Sequence, residues 1–443
     1  MSLSTLKTPV LSKITKRGYA TKTLAQSIKG TVIQTKKLPN STLVVAAPDF
    51  PTKIGRISVT FLAGSRYEDP ESTGISNLIR SSAGLSTSAS TTFSILRNLG
   101  HLGANYSVSS DRETITYTIE AHKENLTAGL KYFIESVSQQ TFKPWELSDN
   151  QERVEYELLL IPPELRALDL AHKAAYRNTL GNTIYLPKYN LKKLGSEHLL
   201  FYVKKNFTSD KAIISSVGVD AETLQLVSED LNLPKSEQDC SVKAKYYGGD
   251  VRKAKDLGTS YLAVVGEGVS YGNSQSAAFA VLEYLLGKGS SVKWGVGQGN
   301  LEQNILQSNV SGNFAVSAIN YNYSDSGLFG FLLAYNGKDS GKALNAAVQS
   351  LKSPKITDAE VSRAKKQLLF SLLSTSESSS ELLKNITNQA VVTGKVHPIE
   401  KLVAAVESVS IEDVKKAASQ VANSKLSLGG YGNIVSTPYL DSL

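Results

Sequence analysis

A pattern that recurs after roughly 210 residues constrains this chain more than any single motif, because repeats of that length mark duplicated domains. Ser148-Asp149-Asn150-Gln151 and Thr357-Asp358-Ala359-Glu360 both have the form of a capping box, in which a hydroxyl and a side chain three residues on satisfy free amides at a helix start. They lie 209 residues apart and open similar stretches, SDNQERVEYELLL and TDAEVSRAKKQLLFSLL. Further on, SEHLLFYVKKNFTSDKAIISSVGV pairs with IEDVKKAASQVANSKLSLGGYGNI at an offset of about 214, each a helix with Lys-Lys in its middle followed by a strand. The spacing implies two homologous halves, 20–230 and 250–443, joined over 231–249 by a polar segment with Pro234 and Gly248-Gly249.

Within a half, two periodicities alternate. Ile57, Val59 and Phe61 alternate with polar neighbours, as do Ile115, Tyr117 and Ile119, which predicts strands with one face buried. A hairpin is expected around Ser109-Ser110-Asp111-Arg112. Ile75, Leu78 and Ile79 share one helical face, while Phe93, Leu96 and Leu99 share another that stops at Gly100 as a C-terminal cap. The fold class is α+β: two homologous halves, each an antiparallel sheet with helices packed on one face.

Charge is distributed unevenly. Of the formal +8, eight Lys or Arg fall between Met1 and Pro48 with no Asp or Glu among them, and Leu3, Leu6, Val10 and Ile14 fall on one helical side. That is the signature of a mitochondrial transit peptide over residues 1–19, with cleavage between Tyr19 and Ala20; a plain basic tail is the other reading. Cleavage there leaves +4, too diffuse for a nucleic-acid footprint. No apolar run approaches the ~20 residues that cross a bilayer, so a membrane role would be peripheral. The single Cys240 forms no intrachain disulfide and supplies no multi-thiolate metal site.

SRYEDPESTGISNLIRSSAG resembles the opening of the pitrilysin (insulinase) type zinc peptidases, whose helix carries an inverted His-x-x-Glu-His motif. Two imidazoles one turn apart hold Zn²⁺, the Glu takes a proton from the bound water, and a further Glu about 76 residues on completes the set. Alignment on Gly74 puts Asn77 and Ser81 at the histidine positions and Arg80 at the acid, with Glu157 at the distal spacing. An amide, a hydroxyl and a guanidinium make no zinc site, so the resemblance implies a degenerate metal motif, no catalytic residue and no cofactor. Glu157 also reads as an ordinary helical carboxylate. His101, His122, His172, His198 and His397 show no metal-binding pair, and no Gly-x-Ser-x-Gly or Walker-type loop is present.

Gly287–Asn300 occupies the position of the glycine loop that touches presequences in the alpha-type processing peptidase; here Lys288 and Lys293 would repel a cationic presequence, and a plain turn is the other reading. YNYSDSGLFG (Tyr321 to Gly330), AAYRN (Ala174 to Asn178), Phe207-Thr208-Ser209 and the closing GNIVSTPYLDSL are similar to the core-subunit branch, found in mitochondrial ubiquinol-cytochrome c reductase (complex III). That likeness implies a non-catalytic subunit on the matrix side of the inner membrane. Its expected partners are a core 1 subunit as heterodimer, cytochrome b, cytochrome c1 and the Rieske protein. An alpha-type processing subunit that binds presequences is the alternative.

Overall fold

The computed structural model describes residues 32–236, 242–289 and 299–442. The transit-peptide reading with Tyr19 and Ala20, Cys240, and Lys293 of the glycine loop lie outside the described residues.

The first sheet contains β1 (Gln34–Lys37), β2 (Leu43–Ala47), β3 (Ile54–Phe61), β4 (Asn105–Ser110), β5 (Ile115–His122) and β6 (Ala212–Val217), in the order β1-β2-β6-β3-β5-β4. The second contains β7 (Gly249–Ala254), β8 (Ser260–Glu267), β9 (Asn313–Asn322), β10 (Gly327–Asn336) and β11 (Ser427–Gly432), in the order β7-β11-β8-β10-β9. With β1 set aside the two orders superpose strand for strand, which is the duplication in three dimensions. The α+β class holds, but each sheet is mixed: β2 runs parallel to β6, and β7 parallel to β11. The last strand of each half arrives from a helix and inserts beside the first, so only that pair is parallel. The hairpin expected at 109–112 is present, with Asp111 N–H donating across the turn to the Thr114 carbonyl at 2.8 Å.

Each sheet buries one face under its own helices, around Ile57, Tyr117 and Phe133 in the first half and Phe279, Phe329 and Leu344 in the second. The other face is covered by a single helix from the opposite half. Pro163–Tyr176 lies on the second sheet, with Ala167, Ala171 and Ala175 against Ala263, Val265 and Leu328. Ser379–Thr393 lies on the first, with Leu383, Ile386 and Ala390 against Val45, Ile213 and Val217. Helices thus occupy both faces rather than one, and β6 and β11 are buried at every position because they are sandwiched.

Two local expectations fail. The helix containing Ser148 begins at Pro144, whose missing N–H suits the first turn, so Ser148 lies inside it and is no cap. Thr357 does cap, its hydroxyl accepting from the Glu360 amide at 3.4 Å. The register is therefore 214 rather than 209 here: Leu147 and Val154 match the buried Val361 and Leu368. In the helix Thr92–His101, Ile95 and Leu99 are buried while Phe93 is 71% and Leu96 61% exposed. It ends at Gly103 (φ 60°), where Ala104 N–H donates to Leu99 C=O, not at Gly100.

Candidate functional site

The helix Ile75–Ser81 is short and lacks a side-chain N-cap, because Gly74 stands at the cap position in the left-handed conformation (φ 88°). A side chain there would also collide with Leu186 and Pro187. Glu68, 6% exposed, does the capping from outside: its carboxylate accepts from Gly74 N–H at 2.7 Å, Ser76 N–H at 2.9 Å and the Ser76 hydroxyl at 2.5 Å. Burial pushes the Glu68 carboxyl up to about 7, against the pull of those three donors.

One turn on, the helix presents the motif positions. Asn77 and Ser81 are buried, and Arg80 points toward the helix Pro144–Leu159. Arg80 Nη2 donates to Glu157 Oε2 at 2.6 Å and to Ser81 Oγ at 3.0 Å, and Ser81 Oγ lies 3.4 Å from the same carboxylate oxygen. Arg153, one turn before Glu157, stands 3.8 Å from its other oxygen and donates to the Ser81 carbonyl, which also accepts from Asn150 at 3.1 Å. The structure thus brings Arg80, Ser81 and Glu157 together and sets Asn77 beside them on the same helix. The carboxylate sits between two guanidinium groups, so a fixed positive charge already fills the coordination space it faces. Among the described residues no three His, Cys, Asp or Glu side chains converge as a metal site.

Sequence reading did not find the second polar cluster, where the halves join. Arg66, with its side chain 5% exposed, reaches Glu113 at 2.7 Å, Asp325 Oδ1 at 2.8 Å and the Val242 carbonyl at 2.9 Å, and pairs again with Asp325 Oδ2. Ser324 donates its amide (3.1 Å) and hydroxyl (2.5 Å) to Glu113, and Ala244 N–H donates to Asp325 at 2.8 Å. Burial opposes charge on Arg66, but Asp325 and Glu113 raise its pKa; burial likewise opposes Asp325, yet Arg66 and the Ala244 amide hold that carboxyl below its ordinary value. Nearby, Tyr323 donates to His172 Nε2 at 2.7 Å while His172 Nδ1–H donates to the Leu168 carbonyl at 2.7 Å. Burial, then the charge of Arg112, keeps His172 far below the usual histidine value and neutral. Tyr176 donates to the Gly327 carbonyl at 3.0 Å. Residues of the strings SRYEDP, AAYRN and YNYSDSGLFG therefore meet at one junction. Nothing in local spacing could reveal it, since Arg66 and Asp325 stand 259 residues apart.

Of the glycine loop only its edges are described. Lys288 lies over the Tyr284 ring and 3.3 Å from Glu283, so its charge is answered within its own half.

Comparison with known proteins places this geometry in a class. The insulinase (peptidase family M16) model matches residues 43–188, and the model described as the peptidase M16 inactive domain matches 193–368. The chain belongs to the insulinase (M16) peptidase family. It is similar to the mouse cytochrome b-c1 complex subunit 2, mitochondrial, at 32% identity over 92% of this chain and 91% of the relative. Human cytochrome b-c1 complex subunit 2 is 31% identical over the same shares, and an Arabidopsis probable mitochondrial-processing peptidase subunit alpha-1 is 28% identical over 95% of this chain and 86% of its own.

Proposed function

We propose that the chain is a non-catalytic subunit of mitochondrial ubiquinol-cytochrome c reductase of the core 2 type, serving assembly and stability rather than chemistry. The observation that carries this reading is the full-length likeness to cytochrome b-c1 complex subunit 2, 91% of the mouse relative being covered. The site geometry supports it. Two weak donors, Asn77 and Ser81, and a Glu157 neutralised by Arg80 and Arg153 do not fit a catalytic zinc, which needs imidazole and carboxylate donors free of competing cations. Residues 77, 80, 81 and 157 are on this reading a metal motif turned into an ion pair. A packed two-half body with its interfaces intact remains useful without a reaction, since fold and activity are separable.

The finer reading follows the same likeness: residues 1–19 are a leader cut between Tyr19 and Ala20, and 20–230 and 250–443 are the two peptidase-like domains joined over 231–249. The mature chain pairs with a core 1 subunit on the matrix face of the inner membrane, beside cytochrome b, cytochrome c1 and the Rieske protein. Among the described residues no helix is long and apolar enough to cross a membrane, which suits peripheral attachment. Mild solubilisation of mitochondria followed by a native gel should place this chain in a large band carrying b- and c-type haem spectra. A soluble heterodimer that cleaves presequences, with a partner bearing an intact His-x-x-Glu-His, would replace this reading by the alpha-type processing subunit.

A further inference from the structure

Where the helix Ser379–Thr393 crosses the first sheet, the packing leaves a cavity of about 270 Å³ between the halves. Ile33, Phe50 and Pro51 wall it from the first half, and Leu382, Ile386 and Leu402 from the second. Its buried amide is already engaged: Gln389 donates to Asn385 Oδ1 at 2.9 Å and accepts from His397 N–H at 2.8 Å. An apolar interior of this kind calls for apolar side chains. The charged residues that line it are Glu377 and Glu400, both exposed, with His397 the remaining titratable group and no Lys or Arg among the lining residues. The occupant it fits is an apolar segment that carries positive charge.

Such a segment is covalently at hand. Ile33 is itself a wall of the cavity, so the chain enters the described structure there. Leu24 and Ile28 precede it, flanked by Lys22 and Lys29, with no acidic residue before Asp49. Ile28 stands five positions before Ile33, a reach of at most about 18 Å, and Gly30 lies between them. Tethering replaces a bimolecular encounter by an effective concentration on the order of millimolar. We propose that this cavity is the docking site for the chain's own amino-terminal segment, with Leu24 and Ile28 as the apolar anchors and Glu377 and Glu400 answering Lys22 and Lys29. This inference is independent of the assembly in which the chain works.

The test is a disulfide trap in the full-length chain with Cys240→Ser. Under mild oxidation Ile28→Cys with Leu402→Cys should cross-link within one molecule at least tenfold faster than Ile28→Cys with Leu306→Cys, whose partner site is exposed outside the cavity. Lys22→Glu with Lys29→Glu should slow the first cross-link about tenfold, and adding Glu377→Lys with Glu400→Lys should restore it. Equal rates at the two sites, no response to charge reversal, or a bond formed only between two molecules would overturn the proposal. Because the 402 variant could disturb packing, Leu24→Ser with Ile28→Ser is measured as well, by binding of the neutral apolar dye Nile red. Fluorescence should rise severalfold over the parent chain, and an unchanged signal would also overturn it.

Discussion

The two sheets receive their crossing helices through different surfaces. On the second, β11 offers Gly429 opposite Ala263, and the helix Pro163–Tyr176 brings Ala167 and Ala171 so close that a methyl on Gly429 would overlap their backbone. On the first, the matching pair is Ser215 opposite Ser58, and the helix Ser379–Thr393 answers with Thr387, whose hydroxyl lies 3.5 Å from that of Ser58, and with Ser379, which bonds Arg56. The Arg66 cluster and the His172–Tyr323 contact lie beside the first kind of crossing; the open cavity lies beside the second. A duplicated chain has thus kept its topology in both halves and divided the labour of joining them. One crossing is apolar, close-packed and locked by a buried guanidinium; the other is hydroxyl-lined and leaves space.

The comparison breaks most readily at the lock. Arg66→Ala leaves the buried Glu113 and the partly exposed Asp325 without their cation, and breaking a buried pair such as Arg66–Glu113 costs about 3–5 kcal/mol. Urea unfolding followed by fluorescence should show that loss; a change below about 1 kcal/mol would mean the junction carries no more than a surface ion pair. Gly429→Ala should cost about 3 kcal/mol by overpacking, whereas Ser215→Ala, which removes a buried hydroxyl without a hydrogen-bond partner, should gain about 1 kcal/mol. Equal and opposite-to-expected shifts in a thermal melt would erase the distinction between the crossings.

Smaller effects sharpen the contrast inside the first half. Glu68 titrates near 7 in the fold against an ordinary 4.5, so the folded state holds the proton more tightly than the unfolded one. Its contribution to stability is full below pH 4.5 and is lost as pH rises to 7, by about 2 kcal/mol between about pH 5 and 7. Glu68→Gln should flatten that slope in pH-dependent denaturation. Arg80→Ala should cost less than about 1 kcal/mol, because its pair with Glu157 is roughly one-third exposed. Electron transfer by the assembled complex should be nearly unchanged in Asn77→Ala, Arg80→Ala and Ser81→Ala, as steady-state cytochrome c reduction would report.

Periodicity was enough to read the strands around Ile57 and Ile115, but only the second alternates in burial; Ser58 and Thr60 are buried too, on the face that the crossing helix covers. It failed at Phe93 and Leu96, where apolar side chains face solvent and spacing alone cannot say which stripe is inside. That an amide, a guanidinium and a hydroxyl stand at 77, 80 and 81 was legible because it is a question of residue type at fixed spacing. That Arg80 turns onto Glu157 rather than to solvent was not, since it depends on a neighbouring helix 77 residues away. The exchange of helices was invisible for a related reason: Ala167, Ala171 and Ala175 read as a mild amphipathic face whichever sheet they cover.

That exchange has a consequence for how the polypeptide comes into being. A ribosome or an import channel delivers the amino end first, yet the outer face of the first sheet stays bare until Ser379–Thr393 has emerged, and Pro163–Tyr176 must wait for β11 at Ser427–Gly432. At about 5–20 residues per second the interval between β6 and its cover is roughly 10–35 s. During that window Val45, Ile213 and Val217 form a sticky strip on a nascent chain, so a holdase acting on this protein would find its target on that strip.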